Sequence, residues 1–217
     1  MKTAGVVLDL QRYVSQDITP APPAATWADV SRYKRHGTIN GATWTRLPSG
    51  LWVLSFNGVN QNVTLASVLP TISEALPLTI LIAFYPTGAV GSLVNSNRSN
   101  NNRFTALQNV GELRIYFYDG GVYRGIRSIA SSLNTWHIAI YTFEPVGHSG
   151  VLLLDGVIAV GSTNSGSDGT VGTRFGEFMD GSVDYTGMIG MIKTWKYIFT
   201  LGQMSQLFES ERGWFGI

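Results

Sequence analysis

The sequence has 217 residues, of which 44% are hydrophobic and only 13% are charged, and it contains no cysteine. This content of apolar side chains excludes a disordered chain, and the lack of cysteine excludes disulfides and thiolate metal sites. The formal net charge is +1. Basic residues are scattered apart from Arg32, Lys34 and Arg35, which argues against a nucleic-acid partner.

Short runs rich in Val, Ile, Phe, Tyr and Trp recur at about 8–15-residue spacing, which is typical of a β-sandwich or barrel. The Asp-Gly pairs at positions 119–120 and 155–156 supply the positive φ of tight turns and predict antiparallel hairpins. Residues 19–25, 95–102 and 161–169 are predicted loops. The predicted strands, in chain order, are residues 5–10, 42–46, 51–57, 62–65, 78–85, 91–95, 103–108, 112–118, 122–127, 136–143, 150–155, 157–160, 174–177 and 185–195.

One helix is predicted, at the C-terminal end. Thr200 and Gln203 have the spacing of a capping box, and Met204, Leu207 and Phe208 form one apolar face over residues 203–211. No membrane insertion is expected, since the longest apolar run, residues 76–85, is about half of a membrane-spanning helix. Residues 4–8 are too short for the apolar core of a signal peptide, so none is expected in this chain.

Six segments of the chain form a recognisable series: residues 29–31 with 36–44, 54–63, 78–86, 135–139, 152–156 and 185–190. In this order they resemble the laminin G-like modules of the concanavalin A-like lectin and glucanase superfamily. The resemblance implies one all-β domain over residues 1–217, a jelly-roll sandwich of two curved antiparallel sheets with one short C-terminal helix. Asn57, Asn60 and Gln61 replace acids of the family's Phe-Asp-Gly segment, so the resemblance implies the fold more strongly than any ligand.

Catalysis is not expected. Retaining glucanases of this fold need two carboxylates about 5 Å apart, normally at alternate positions of one strand, and no predicted strand carries such a pair. The three histidines are isolated, and for His137 a hydrogen bond to neighbouring backbone is favoured over a metal site. Asp180 and Asp184 are the candidate calcium ligands, although a solvated turn is the favoured interpretation. We therefore expect no cofactor unless calcium binds there.

A carbohydrate-binding surface is predicted on the strand at 112–118. Arg114, Tyr116 and Tyr118 alternate with apolar residues and so share the outer face of the sheet, and Tyr123 and Arg127 of the next strand are expected to join them. Sugar rings stack on aromatic side chains and hydrogen-bond to arginine. Ordinary cross-strand pairing or a subunit contact is an equal alternative. Arg32, Lys34 and Arg35 could also meet an anionic glycan or phosphate, although a solvated loop is favoured.

The C-terminal tail predicts assembly. Trp214, Phe215 and Ile217 are costly to leave in water, so they are expected to pack on the chain itself or on another subunit. We expect an oligomer or a larger particle, with the tail or the proline-rich segment at residues 19–25 buried against another chain.

Two functions follow from these features. The first is a non-catalytic recognition module, binding carbohydrate, on an extracellular surface or a virus particle. The alternative is a virion decoration or capsid-associated structural protein that acts through protein contacts without sugar binding. A glycoside hydrolase is a distant third. The expected partners are glycans or neighbouring protein subunits.

Overall fold

The structure is a computed structural model that describes residues 6–10, 13–14, 25–65, 77–99, 102–119, 122–144, 149–159, 172–178 and 181–217. These residues form seventeen strands and one C-terminal helix, α1 (Leu201–Arg212). The strands are β1 (Val6–Leu10), β2 (Tyr13–Val14), β3 (Thr26–Trp27), β4 (Gly37–Asn40), β5 (Thr43–Arg46), β6 (Leu51–Asn57), β7 (Asn62–Leu65), β8 (Leu78–Pro86), β9 (Val90–Ser99), β10 (Asn102–Asn109), β11 (Glu112–Asp119), β12 (Val122–Ala130), β13 (His137–Glu144), β14 (Ser149–Leu154), β15 (Val157–Ala159), β16 (Gly172–Phe175) and β17 (Thr186–Trp195).

The described strands form two antiparallel sheets. Sheet I has the order β15-β14-β13-β8-β17-β6-β2, with β1 beside β17 and β5 beside β6. Sheet II has the order β12-β11-β10-β9-β16-β7-β4-β3. This arrangement confirms the predicted jelly-roll sandwich with one short C-terminal helix.

The core lies between the two sheets and is built from alternate residues of each strand. Trp27, Phe104 and Phe175 of sheet II meet Phe84 and Tyr141 of sheet I, and each is almost completely buried. Burying one large apolar side chain contributes about 1.5–3 kcal/mol, so these aromatic residues supply much of the stability of the sandwich.

A second apolar layer covers the other face of sheet I. Strand β8 is apolar at nearly every position because it is buried on both faces. Met204, Leu207 and Phe208 of α1 pack there. Helix α1 begins with the predicted capping box: Thr200 Oγ1 accepts from the Gln203 amide, and Gln203 Oε1 accepts from the Thr200 amide. Helix α1 therefore covers the face of sheet I that points away from the core.

The strand predictions differ from the structure mainly at the polar residues 95–102. This segment was a predicted loop, but β9 continues to Ser99 and β10 begins at Asn102. The prediction is wrong because Asn and Ser are common in turns, and the sequence does not show the cross-strand hydrogen bonds that stabilise them in a strand. In the structure, Asn95 Nδ2 donates to Thr105 Oγ1 of the neighbouring strand at 3.0 Å. The turn at Asp155 and Gly156 is confirmed, with φ of 50° and 83°.

Some predictions fall outside the described residues. They are the loops at 19–24 and 161–169 and the Gly120-Gly121 part of the first hairpin turn. The pattern also missed β2, β3 and β4, two of which have only two residues, too few to show an alternation.

Candidate functional site

The outer face of sheet II, which points away from the core, carries one polar residue on each of seven neighbouring strands. Each residue is the direct cross-strand partner of the next, and each is followed or preceded by a core residue, so alternation turns the whole set outward. We call this set the outer-face row. Its members, from β3 to β11, are Thr26, Thr38, Thr64, Arg174, Asn95, Thr105 and Tyr116.

The centre of the outer-face row is buried and carries an unsatisfied acceptor. Asn95 and Thr105 have no exposed surface and Tyr116 is 6% exposed, whereas the Arg174 side chain keeps 29% of its surface exposed. No described residue donates a hydrogen bond to Asn95 Oδ1. A buried carbonyl oxygen without a donor costs about 1–3 kcal/mol. A ligand hydroxyl or a water molecule would therefore be favoured at this oxygen.

A hydrogen-bonded amide cluster flanks the row and fixes Arg174. Asn40 Nδ2 donates to Asn62 Oδ1 at 2.8 Å, and Asn62 Nδ2 donates to Glu177 Oε2 at 2.5 Å. Arg174 Nη1 donates to the same Glu177 oxygen at 3.0 Å. Because Glu177 is only 4% exposed, its carboxylate holds the guanidinium firmly beside Asn95. Asn40 is exposed and presents the cluster to solvent.

Two of the predicted sugar-binding residues are described with their side chains. Arg114 Nε donates to Glu112 Oε2 at 3.0 Å, and Ser128 Oγ donates to the same oxygen at 2.7 Å. The hydrogen bonds from Ser128 and Arg114 lower the pKa of Glu112. Arg114 is exposed over 43% of its side chain, but Tyr116 is nearly covered. The described geometry therefore offers Arg114 for contact more readily than the Tyr116 ring.

The other three predicted sugar-binding residues are described by backbone only. Tyr118 and Tyr123 are direct cross-strand partners, so the structure brings this pair together. Arg127 is the partner of Ile115, which is a core residue. The register thus does not align Arg127 with Arg114, whose partner is Ser128. A sugar site at these residues stays a prediction.

The outer-face row was missed by sequence reasoning except for Tyr116. A signal was present within single strands, since Thr38, Thr64, Asn95 and Thr105 each stand next to a core residue. The row itself depends on pairing between strands far apart in sequence, such as Arg174 with Asn95. Spacing along one strand does not contain that information.

The predicted calcium ligands are only partly described. Asp184 Oδ2 accepts from the Asn60 amide at 2.9 Å, and Asp180 lies outside the described residues. Within the described ranges, no group of three or more His, Cys, Asp or Glu residues could hold a metal ion. Calcium binding therefore stays a prediction.

His137 is held between two acceptors at the rim of the core. Its Nδ1 lies 2.6 Å from Asp155 Oδ2 and its Nε2 lies 2.8 Å from the Ser132 carbonyl oxygen. Burial lowers the pKa of His137, but the hydrogen bonds to Asp155 and Ser132 outweigh it and leave that pKa raised. Since both nitrogens face acceptors, the geometry and the raised pKa both favour the doubly protonated imidazolium form of the ring.

This His137 environment has the residue types of a Ser-His-Asp triad without its chemistry. Ser132 Oγ lies 3.5 Å from Nε2, but Nε2 lies closer, at 2.8 Å, to the Ser132 carbonyl oxygen, and a nitrogen that donates to this carbonyl has no lone pair to take the hydroxyl proton. The Ser132 carbonyl bond is the backbone contact expected from the sequence. The His137 ring therefore links the loop before β13 to the turn after β14 through its contacts with Ser132 and Asp155.

The predicted assembly residues have three different environments. Phe215 is 7% exposed, and its ring centroid lies 4.7 Å from that of Trp136. Ile217 packs against the same cluster on sheet I, whereas Trp214 is 41% exposed. The tail is thus mainly covered by its own chain, and assembly stays a prediction for which Trp214 offers the exposed surface.

Comparison with known proteins shows the fold. No protein-family model matches the chain, and no curated protein matches it. Botulinum neurotoxin type C, described as depending on two ganglioside molecules to enter cells, superimposes with TM-score 0.69 at 11% identity, covering 96% of this chain and 51% of that chain. The chain has a concanavalin-like jelly-roll fold. It spans about half the length of the neurotoxin structures that it matches.

Two further structures share the fold. Domain 4 of a GH43 extracellular arabinanase from Geobacillus stearothermophilus, in complex with arabinotriose, has TM-score 0.66 and 11% identity, covering 83% of this chain and 91% of that chain. A Trypanosoma rangeli sialidase mutant displaying trans-sialidase activity has TM-score 0.65 and 17% identity, covering 98% of this chain and 34% of that chain. Within the described residues, no helix has the length and apolar character needed to cross a membrane.

Proposed function

We propose that this chain is a non-catalytic carbohydrate-binding module whose sugar site is the outer-face row of sheet II. The observation that carries the proposal is Asn95, a fully buried amide with an unsatisfied carbonyl oxygen, next to Arg174 on the same face. A sugar hydroxyl can donate to Asn95 Oδ1 and accept from the guanidinium at once. Neutral hydroxyl groups suit the outer-face row, whose side chains are hydroxyls and one amide apart from the single cation Arg174.

The shape of the row fits an oligosaccharide better than a single sugar. Seven strands at about 4.8 Å spacing give a row of roughly 25–30 Å. Exposed Thr38 and Asn40 lie toward one end of this row, and Tyr116 forms the other end. Because Asn95 is fully buried, a ligand reaches its oxygen only after a neighbouring side chain moves, and we expect Arg174, the exposed neighbour in the row, to be that side chain. Binding is therefore expected to reorganise Arg174.

The similar structures support carbohydrate as the ligand class. The arabinanase domain was solved with arabinotriose, and the neurotoxin is described with ganglioside molecules. This chain also resembles the binding domain of botulinum neurotoxin DC, which was solved in complex with the protein rat synaptotagmin II. We therefore extend the proposal to a module at an extracellular or particle surface, where glycans and partner subunits are both available.

Glycoside hydrolysis is the second candidate, and one observation favours it. Glu177 and Asp184 are partners across an isolated antiparallel bridge, a pairing that spacing along one strand does not reveal. No described residue donates to Asp184 Oδ1. Glu177, however, accepts from both Asn62 and Arg174 and is 4% exposed, which suits a structural anion better than a proton donor. Loss of any glycan-hydrolysing activity in both Glu177→Gln and Asp184→Asn would favour this candidate over ours.

The test of the binding proposal is a glycan array followed by calorimetry on the glycans that bind. Asn95→Ala removes the acceptor, and the affinity is expected to fall about tenfold, as the loss of one well-placed hydrogen bond implies. Arg174→Lys keeps a cation beside Glu177 but loses the guanidinium fork, and a similar loss is expected. Thermal unfolding should show that both variants remain folded.

Arg114→Ala is the matched control, because it changes an exposed arginine on the same face outside the row. Its affinity should equal that of the wild type. If Arg114→Ala and Tyr118→Ala weaken binding while Asn95→Ala does not, the site is the β11–β12 surface predicted from the sequence. A chain that binds no glycan on the array contradicts the proposal.

A further inference from the structure

A buried carboxylate organises the loop between β3 and β4. Asp29 is 1% exposed, and its Oδ1 accepts from the amides of Asp9 and Ser31 at 3.0 and 2.8 Å. Its Oδ2 accepts from Ser31 Oγ and from the Arg35 amide at 2.9 and 2.6 Å. Four hydrogen bonds to one carboxylate fix the loop backbone on both sides of residues 32–34. The side chains of this loop are thus presented in a defined arrangement.

Cations surround Tyr33 on this loop. The guanidinium carbons of Arg35 and Arg32 lie 4.4 and 4.8 Å from the ring centroid, and Lys196 Nζ lies 6.0 Å from it. Arg32 Nη2 also donates to Tyr33 Oη at 2.7 Å. Lys34 is exposed beside them. We call Arg32, Tyr33, Lys34, Arg35 and Lys196 the Tyr33 patch.

The Tyr33 patch concentrates charge in a chain whose formal net charge is only +1. Within the described part of the chain, Arg32, Lys34 and Lys196 form no ion pair with an acid. Asp9 and Asp29 lie beneath the loop, and Asp29 is already satisfied by its four donors. The Arg32 hydrogen bond, followed by the charges of Arg32, Lys196 and Arg35, lowers the pKa of Tyr33. The field at this surface is therefore positive.

Lys196 belongs to the patch only because the fold brings it close to a loop that is distant in sequence. It follows the last residue of β17, whereas the other cations lie in the loop before β4. Strand β1 links the two regions: it pairs with β17, and the Asp9 carbonyl accepts from the Val30 amide at 3.0 Å. The sequence alone shows three of the four cations. The fourth, Lys196, adds a cation from a second element near the Tyr33 ring.

We propose that the Tyr33 patch binds the sulfate or carboxylate groups of an anionic polysaccharide. Two of the four cations are arginines on a fixed loop, and a guanidinium fork pairs with an oxyanion through two parallel hydrogen bonds. Attraction to an anionic membrane needs point charges and apolar insertion, but in the described residues of this loop only Val30, at 41%, is a notably exposed apolar side chain. None of the patch residues belongs to the outer-face row, and the patch acts through charge.

The test uses dextran sulfate as the probe and uncharged dextran of equal size as the reference, both with the full chain. Dextran sulfate should bind and uncharged dextran should not. Binding should weaken steeply as salt rises, because cation–polyanion contacts release counterions. The double variant Arg32→Gln/Lys196→Gln is expected to lose about tenfold or more in affinity, as two charge-assisted contacts are removed.

The matched control is Arg114→Gln/Arg212→Gln, which removes the same net charge from two exposed arginines elsewhere. The control should bind dextran sulfate as the wild type does, and so should Asn95→Ala, which tests the outer-face row separately. An equal loss in the control would show a general charge effect and overturn the proposal. So would absent binding, or tighter binding to phosphatidylserine vesicles or single-stranded DNA with the same variant dependence.

Discussion

The outer faces of the two sheets differ in chemistry although both sheets share one core. On sheet I this face is apolar: Leu81, Ile140 and Met191 lie under α1 and under the Phe215 ring. On sheet II the same face is polar, and at its centre Asn95 has an acceptor that no described residue satisfies. The first face gains stability by being covered by its own chain. The second face is polar and gains little from an apolar cover. It is therefore the face on which a ligand can supply the hydrogen-bond donor that Asn95 lacks.

The cover of sheet I should be energetically important, and Phe215→Ala is expected to lower the free energy of unfolding by about 3 kcal/mol. Its ring packs on Trp136, and a Cβ at Gly190 would come within 2.4 Å of it, so the glycine leaves room for the ring. Urea unfolding measures this loss. Trp214→Ala, one residue away but exposed, should cost under about 0.5 kcal/mol. Equal effects in the two variants would mean that the tail does not dock on sheet I.

A smaller effect on the free energy of unfolding is expected at His137, at the rim of the core between the two sheets. His137→Gln should lower the free energy of unfolding by about 1–3 kcal/mol at pH 6, as the loss of hydrogen bonds from a buried cation implies. Because the pKa of His137 is raised on folding, its contribution is complete below the unfolded pKa and is lost as pH rises through the folded one. The wild type should therefore lose stability, relative to His137→Gln, as the pH rises above about 6.5 and through the raised folded pKa.

Thermal unfolding over that pH range measures the difference. Asp155→Asn supplies a second check, because it removes the carboxylate that holds the ring while keeping its shape. It should flatten the pH profile as His137→Gln does. A wild-type profile parallel to both variants would show that His137 is not charged in the folded protein.

The sequence predicts the contrast between the two sheets only in part. Continuous apolar strands such as β8 predict burial on both faces, and alternating strands such as β11 predict one face that points away from the core. Cross-strand partners cannot be predicted in this way, because the pairing of Arg174 with Asn95 joins β16 to β9, and six strands lie between these two in sequence. The same limit hides the meeting of Glu177 with Asp184 and of Lys196 with Tyr33.

Local signals succeeded where the chemistry is local. The capping box of α1 needs two residues three positions apart, and the turn after β14 needs an Asp-Gly pair, so both could be predicted. The motif with His137 and the motif with Asp155 were each recognised, but the hydrogen bond between them was not. A carbohydrate surface was expected on β11, and the row on this face ends at Tyr116 of that strand. The rest of the row depends on the order of the strands in the sheet.

The smallest effect on stability is expected at Trp214, the exposed residue of the C-terminal tail that otherwise packs on sheet I. Deleting the whole tail would confuse assembly with folding, because Phe215 and Ile217 pack on sheet I. Trp214→Ala separates the two, since it removes an exposed indole and leaves the docked residues in place. If the tail mediates assembly, this variant should shift the protein from oligomer to monomer in sedimentation analysis while its unfolding midpoint stays within about two degrees, as expected of a surface change. Leu201→Ala, exposed at the other end of α1, is the control and should leave the mass unchanged. A wild type that sediments as a monomer at high concentration would contradict assembly through this surface.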